Sequence, residues 1–119
     1  MPAYMLLIVE DPDQRGTRSD AEGRAVYEQM VDYAGQLKRR GVLRAVESLS
    51  SPDAGAARIQ IRAGQARLLD GPFAEAKEMV GGFFLVDCAD RDEAITLAQE
   101  CPAARWATVE VRAVGPCYT

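Results

Sequence analysis

An α+β fold, with two helices laid on one face of an antiparallel sheet, is what this sequence predicts, and three observations carry the prediction. Short apolar runs bounded by turn residues recur along the chain at strand length. Two segments place apolar residues at helical spacing behind a capping sequence. The strand-like and helix-like segments are interleaved, and 119 residues suffice for one domain, 1–119, that hides about two-thirds of its unfolded surface.

Tyr4 to Val9 is an apolar run too short for a helix and is closed by Glu10-Asp11-Pro12-Asp13, so it reads as a first strand, dry on both faces. Residues 10–18 form a polar loop. Ser19-Asp20-Ala21-Glu22 is a capping box, in which the serine oxygen and the glutamate side chain each satisfy a free backbone donor. The helix behind it turns Val26, Met30, Tyr33, Ala34 and Leu37 to one face and ends at Gly41, after a last turn rich in Lys and Arg. Val42 to Leu49 is a second strand, followed by a loop over 50–55. Ile59 and Ile61 alternate with Arg58, Gln60 and Arg62 before a tight turn at Gly64-Gln65 into Ala66 to Asp70, a hairpin expected to bury one face. Gly82 to Cys88 is a strongly apolar strand. Asp90 and Glu93 repeat the capping logic ahead of a short helix through Ala94, Leu97, Ala98 and Cys101, which Pro102 closes. Trp106 to Val114 is the last strand, with Val109, Val111 and Ala113 on one face and Thr108, Glu110 and Arg112 on the other.

With the hairpin set aside as an insertion, the order strand, helix, strand, strand, helix, strand is the ferredoxin-like plan. The runs Met5 to Val9 and Phe83 to Val86 are apolar on both sides, so a second subunit is expected over the sheet face that the helices leave open. A homodimer follows.

Composition narrows the function. Fourteen Lys and Arg against eighteen Asp and Glu give a net charge of -4, and the basic residues are scattered along the sequence, which argues against a nucleic-acid partner. The N-terminal run lacks a basic leader, and no apolar stretch approaches the roughly 20 residues that cross a bilayer, so neither a signal peptide nor a membrane association is expected. Cys88, Cys101 and Cys117 are odd in number and form no Cys-x-x-Cys pair, which suits free thiols in a reducing cytoplasm. The chain has no histidine. Imidazole catalysis is therefore excluded and the commonest transition-metal ligand is missing, so no metal and no cofactor is expected. Gly81-Gly82 precedes a strand and opens no helix, unlike a phosphate-cradling loop.

The most distinctive stretch is Asp70-Gly71-Pro72-Phe73-Ala74-Glu75-Ala76-Lys77-Glu78, followed by Gly81-Gly82 and Phe83-Phe84-Leu85-Val86-Asp87. Proline sets the direction of the turn, glycine tolerates unusual dihedrals, and Asp70 offers an oxygen to a backbone donor two residues on. By residue physics alone this is either a tight turn with Phe73 plugging the core or a polar ligand site. Together with Tyr4-Met5-Leu6-Leu7-Ile8 and Val109-Glu110-Val111-Arg112, the nonamer resembles the DGPF group of YCII-related proteins, small bacterial domains of mostly unsettled biochemical function. The resemblance implies a ferredoxin-like subunit paired into a dimeric α+β barrel. Members are often associated with genes for extracytoplasmic-function sigma factors, which implies an accessory role in signalling or stress response and a sigma factor among the partners. Some relatives carry a His and Asp pair; this chain departs from them in having no His.

A small polar cleft near the signature is the expected site. Its ligand-binding candidates are Asp70, Gly71, Pro72, Phe73, Glu75 and Lys77, with Glu110 and Arg112 on the polar face of the last strand. Without His, carboxylates are the ordinary groups left to act as a general base, which makes Asp70, Glu75 and Glu78 the catalytic candidates, on condition that burial or a neighbouring negative charge raises a pKa. If residues 75–78 are extended, Glu75 lies beside Lys77; if they form a helical turn, it lies beside Glu78. The leading functional reading is a small-molecule-binding or regulatory accessory protein. Behind it stand a carboxylate-dependent enzyme of lyase or isomerase type acting on a small polar molecule, and a protein-interaction module.

Overall fold

The structure, a computed structural model, describes residues 1–118. In chain order it contains β1 (Ala3–Glu10), α1 (Asp20–Arg39), β2 (Leu43–Ser48), β3 (Ala57–Arg62), β4 (Gln65–Asp70), β5 (Met79–Asp87), α2 (Arg91–Glu100) and β6 (Thr108–Ala113), with one-turn 3-10 helices at Arg15–Thr17 and Pro102–Arg105. Four strands form an antiparallel sheet in the order β2-β5-β1-β6, and β3 and β4 pair separately. That strand order, with both helices packed against the sheet, is the expected ferredoxin-like plan.

Strand parity decides what the sheet buries. Leu6 pairs with Phe84 on one side and Val111 on the other, and Ile8 with Gly82 and Val109, so these positions form the face beneath the helices. Leu6, Ile8, Phe84 and Val86 meet Tyr33 and Leu37 of α1 and Leu97 of α2 in one buried cluster. Each such side chain contributes about 1.5–3 kcal/mol by leaving water, and Tyr33 keeps its hydroxyl satisfied by donating to the Leu97 carbonyl. The Tyr33 and Phe84 rings meet edge to face, 5.1 Å between centroids. Met5, Leu7, Val9, Phe83 and Leu85 occupy the opposite face and are only half-buried.

Local signals end the helices where the sequence places them. At Ser19 both arms of the capping box form, with Ser19 Oγ accepting from the Glu22 amide and Glu22 Oε1 accepting from the Ser19 amide. After α1, the Gly41 amide donates to Lys38 and the Val42 amide to Leu37, the Schellman pattern that satisfies the last carbonyls. At α2, Asp90 Oδ1 accepts from the Glu93 amide, but Glu93 reaches the amide of Ala89 in place of the cap residue's own.

The hairpin departs from expectation in two ways. Its turn is Ala63-Gly64, both at positive φ (51° and 76°), with Arg62 paired to Gln65; a two-residue hairpin loop needs that left-handed twist. Neither face is buried: Ile59, Ile61, Leu68 and Leu69 are 56–65% exposed. Alternation makes an amphipathic ribbon, yet a two-stranded ribbon standing off the main sheet has no layer within this chain to pack on. The radius of gyration is accordingly 16.1 Å, against about 13–14 Å for a compact chain of this length.

Candidate functional site

The core-facing parity of β1 ends in a carboxylate. Glu10 follows Leu6 and Ile8 on the helix side and is 3% exposed, the one charged side chain in the buried set among the described residues. Arg15, on the short 3-10 helix after β1, grips it with two parallel hydrogen bonds, Nε to Oε1 at 3.1 Å and Nη2 to Oε2 at 2.9 Å. Arg15 also donates through Nη1 to the Leu49 carbonyl at 2.8 Å and through Nη2 to the Gly81 carbonyl at 3.3 Å, which ties the β1 end to β5 and the β2 exit. A buried charge is tolerated only when paired and hydrogen-bonded in this manner.

Room for the pair comes from Gly81. The β1–β5 register shifts between Ile8 and Val9, and a Cβ on Gly81 would lie 1.5 Å from Glu10 Oε2 and 2.8 Å from Arg15 Nη2. β5 therefore starts at Met79, not at Gly82 as the apolar run suggested, with the bulge at its glycine pair.

Above the pair a cavity of about 560 Å³ opens between α1 and the β1–β5 strands. Ile8, Val26, Tyr27, Met30 and Phe84 give it an apolar wall, and Arg18, Arg24 and Trp106 join the Glu10–Arg15 pair on the polar side. The Arg18 guanidinium lies 4.6 Å from the Trp106 ring centroid, a cation–π contact. Trp106 donates through Nε1 to nothing among the described residues although that nitrogen is shielded from solvent. A second cavity of about 450 Å³ shares Glu10 and Trp106 and is lined further by Asp11, Gln14, Lys77, Glu78 and Thr108.

The expected site residues fall in three places. Asp70 closes β4 opposite Ala57 and is exposed; its carboxylate finds no hydrogen-bond partner among the described residues, because the residue two positions on is Pro72, which has no amide hydrogen. The turn is held instead by the Gly71 amide donating to the Ala56 carbonyl at 2.7 Å, and a Cβ at Gly71 would meet the Pro52 carbonyl oxygen at 2.5 Å. The Gly71–Pro72 peptide is cis. Phe73 is half-buried under the Arg58 guanidinium, 4.0 Å from its ring centroid, and stays outside the core. Glu75 is exposed beside this turn, whereas Lys77 and Glu78 reach the second cavity. No hydrogen bond or ion pair joins the side chains of Asp70, Glu75, Lys77 and Glu78 among the described residues. Glu110 and Arg112 pair with each other at 3.4 Å beside Leu7 and Met5, on the sheet face away from α1.

Glu10, Arg15, Arg18, Arg24 and Trp106 escaped the sequence reading. The one signal for them was an acid continuing the Leu6-Ile8 parity; the three arginines lie within ten positions, but only the fold brings them round one cavity with Trp106. Other titratable groups stand apart from this chemistry. Burial pushes the Cys101 and Cys88 thiols and the Tyr33 hydroxyl upward, so none is primed to ionise near neutral pH. No cluster of three or more His, Cys, Asp or Glu able to hold a metal occurs among the described residues, and none of their helices is long and apolar enough to cross a membrane.

With this geometry in hand, comparison with known proteins is decisive for kinship: the model of the YCII-related domain matches residues 3–117. The chain belongs to the YCII-related family. An uncharacterized protein of Rhizobium meliloti (strain 1021) is 33% identical over 105 residues, which cover 88% of this chain and 84% of that protein. YCII-related kinship thus spans both cavities and the hairpin, but it brings no named activity with it.

Proposed function

We propose that this YCII-related chain is a cytoplasmic small-molecule-binding accessory protein, acting as a homodimer, whose ligand occupies the cavity under α1. The observation that carries the reading is a half-open cavity of ligand size with an apolar wall, lined elsewhere by a bidentate ion pair whose carboxylate is buried and by Trp106, whose indole N–H has no partner among the described residues. The Asp70–Glu78 segment serves as its outer frame through Lys77 and Glu78 at the adjoining cavity. Binding is favoured over catalysis because Asp70, Glu75 and Glu78 all lie exposed to water and Glu10 is held by Arg15. Dimer formation, closing the two sheets into an α+β barrel, is supported by Met5, Leu7, Val9, Phe83 and Leu85, whose apolar surface the single chain leaves half-covered.

A second reading, a protein-interaction module of the kind that contacts a sigma factor, draws on the exposed Ile59, Ile61, Leu68 and Leu69 of the hairpin.

Gly23 provides the test. It lines the cavity from α1, and nothing lies within 4 Å of the Cβ it lacks, so Gly23→Phe adds a ring without a clash at its root and removes a helix-weakening glycine. A thermal-shift fragment screen should yield stabilising hits on the wild type that disappear in Gly23→Phe while its unliganded melting point holds or rises. Hits that persist unchanged in Gly23→Phe would place the site elsewhere.

A further inference from the structure

We infer that the cavity under α1 takes a small amphipathic monocarboxylate, its carboxylate between the Arg18 guanidinium and the Trp106 indole N–H and its apolar body against Val26, Tyr27 and Met30. This rests on the reading of that cavity as a ligand site.

The inference follows from which donors are already used. Arg15 makes four hydrogen bonds, two to Glu10 and one each to the carbonyls of Leu49 and Gly81, and Glu10 cancels its charge. Arg18 is different. Its side chain makes no hydrogen bond or ion pair among the described residues, yet it is half-buried and stacked on Trp106, so its planar fork is held in place before any ligand arrives. Within the same contact sits the solvent-shielded Trp106 Nε1, a donor without an acceptor. A buried donor left unpaired is costly, and only an acceptor relieves it. An ammonium or a purely apolar group at that place would satisfy neither Arg18 nor the indole. One oxyanion satisfies both.

The charge count favours an anion of low charge. Outside the Glu10–Arg15 pair the walls carry Arg18 and Arg24 against Asp20 and Glu47, so a phosphate dianion would meet two carboxylates for its two cations. The walls are neutral without a ligand, so a single negative charge beside Arg18 leaves an excess of one, half of what the dianion would bring. Apart from Ser19 and Ser48, the remaining side chains of the wall are hydrocarbon and aromatic, which suits a ligand with an apolar body.

Trp106 is the only tryptophan and stands in the wall of both cavities, so its fluorescence and its single indole N–H resonance report on that wall, and their loss in Gly23→Phe assigns a response to the cavity under α1. The probes are 3-phenylpropionate, neutral 3-phenylpropanamide and cationic 3-phenylpropylamine, titrated into the wild type, Arg18→Met and Arg18→Lys. The carboxylate should move the indole proton downfield and bind at least about tenfold more tightly than the amide, the margin expected of a charge-assisted hydrogen bond. Arg18→Met should erase that margin, and Arg18→Lys should restore part of it. Equal or tighter binding of the amide or the amine, or a margin that survives in Arg18→Met, would overturn the carboxylate assignment while leaving the cavity a ligand site. An indole resonance unmoved by all three probes at millimolar concentration would also overturn it; hits lost in Gly23→Phe would show that the cavity still binds something else.

Discussion

The cavity under α1 and the Asp70–Glu78 turn are built from the same kinds of residue, and their difference lies in what surrounds them. Each has a glycine forced by close approach, Gly81 against Glu10 and Gly71 against the Pro52 carbonyl. Each has an arginine over a ring, Arg18 on Trp106 and Arg58 on Phe73. Each mixes acids with cations. One set lies between a helix and a sheet, where Glu10 is buried and held by Arg15 in a single geometry; the other lies on a hairpin in water, where Asp70 and Glu75 hold nothing. Removal from solvent, rather than residue type, turns a group of charges into a site, because the same pair interacts more strongly and less flexibly in a low dielectric.

Breaking the buried pair should give the largest effect. Arg15→Met leaves the Glu10 carboxylate buried without its partner and should cost about 3–5 kcal/mol in urea unfolding, whereas Lys77→Met, an exposed cation without a partner, should stay within about 0.5 kcal/mol. Equal effects would erase the distinction between the regions. Next comes Gly81→Ala, which forces its Cβ onto the Glu10 carboxylate and should destabilise by about 1–3 kcal/mol in the same urea melts.

Ser19→Ala removes one arm of the α1 cap beside the cavity and should cost about 1 kcal/mol. The other arm carries a pH signature. Hydrogen bonding from the Ser19 amide, then from its hydroxyl, holds the Glu22 carboxyl below its ordinary value of 4.5, with the charge of Arg18 adding to the effect against slight desolvation. A folded-state value below the unfolded one means a contribution fully present above pH 4.5 and lost as pH falls through the lowered value. Wild-type stability should therefore drop relative to Glu22→Gln on the acid side, and parallel acid melts would refute the link. The smallest change is expected at Asp70→Ala, within about 0.5 kcal/mol, since its carboxylate has no hydrogen bond to lose.

How far the sequence could be read follows from the range of each signal. Both helices, the Ser19 cap, the Gly41 stop and the strand order were legible because capping, periodicity and short apolar runs act over a few residues. The exposed hairpin was not, because alternation reports amphipathicity and says nothing about whether a layer exists to cover the apolar face. At the site, Asp70–Glu78 stood out through local composition. Arg15, Arg18 and Arg24 fall within ten positions on a polar stretch with no distinctive pattern, and Trp106 joins them only when β6 returns beside β1. Glu10 alone offered a hint, a carboxylate at a position whose parity faces the core.

The most direct measurement uses the methionine methyl groups. Among the four methionines, Met30 lines the cavity under α1 and Met5 lies on the open sheet face. In protein labelled with carbon-13 at the methionine methyls, fragments that raise the melting point should shift the Met30 signal, leave Met5 in place, and lose both effects in Gly23→Phe. Stabilising fragments that leave Met30 unmoved in the wild type would contradict a ligand site under α1.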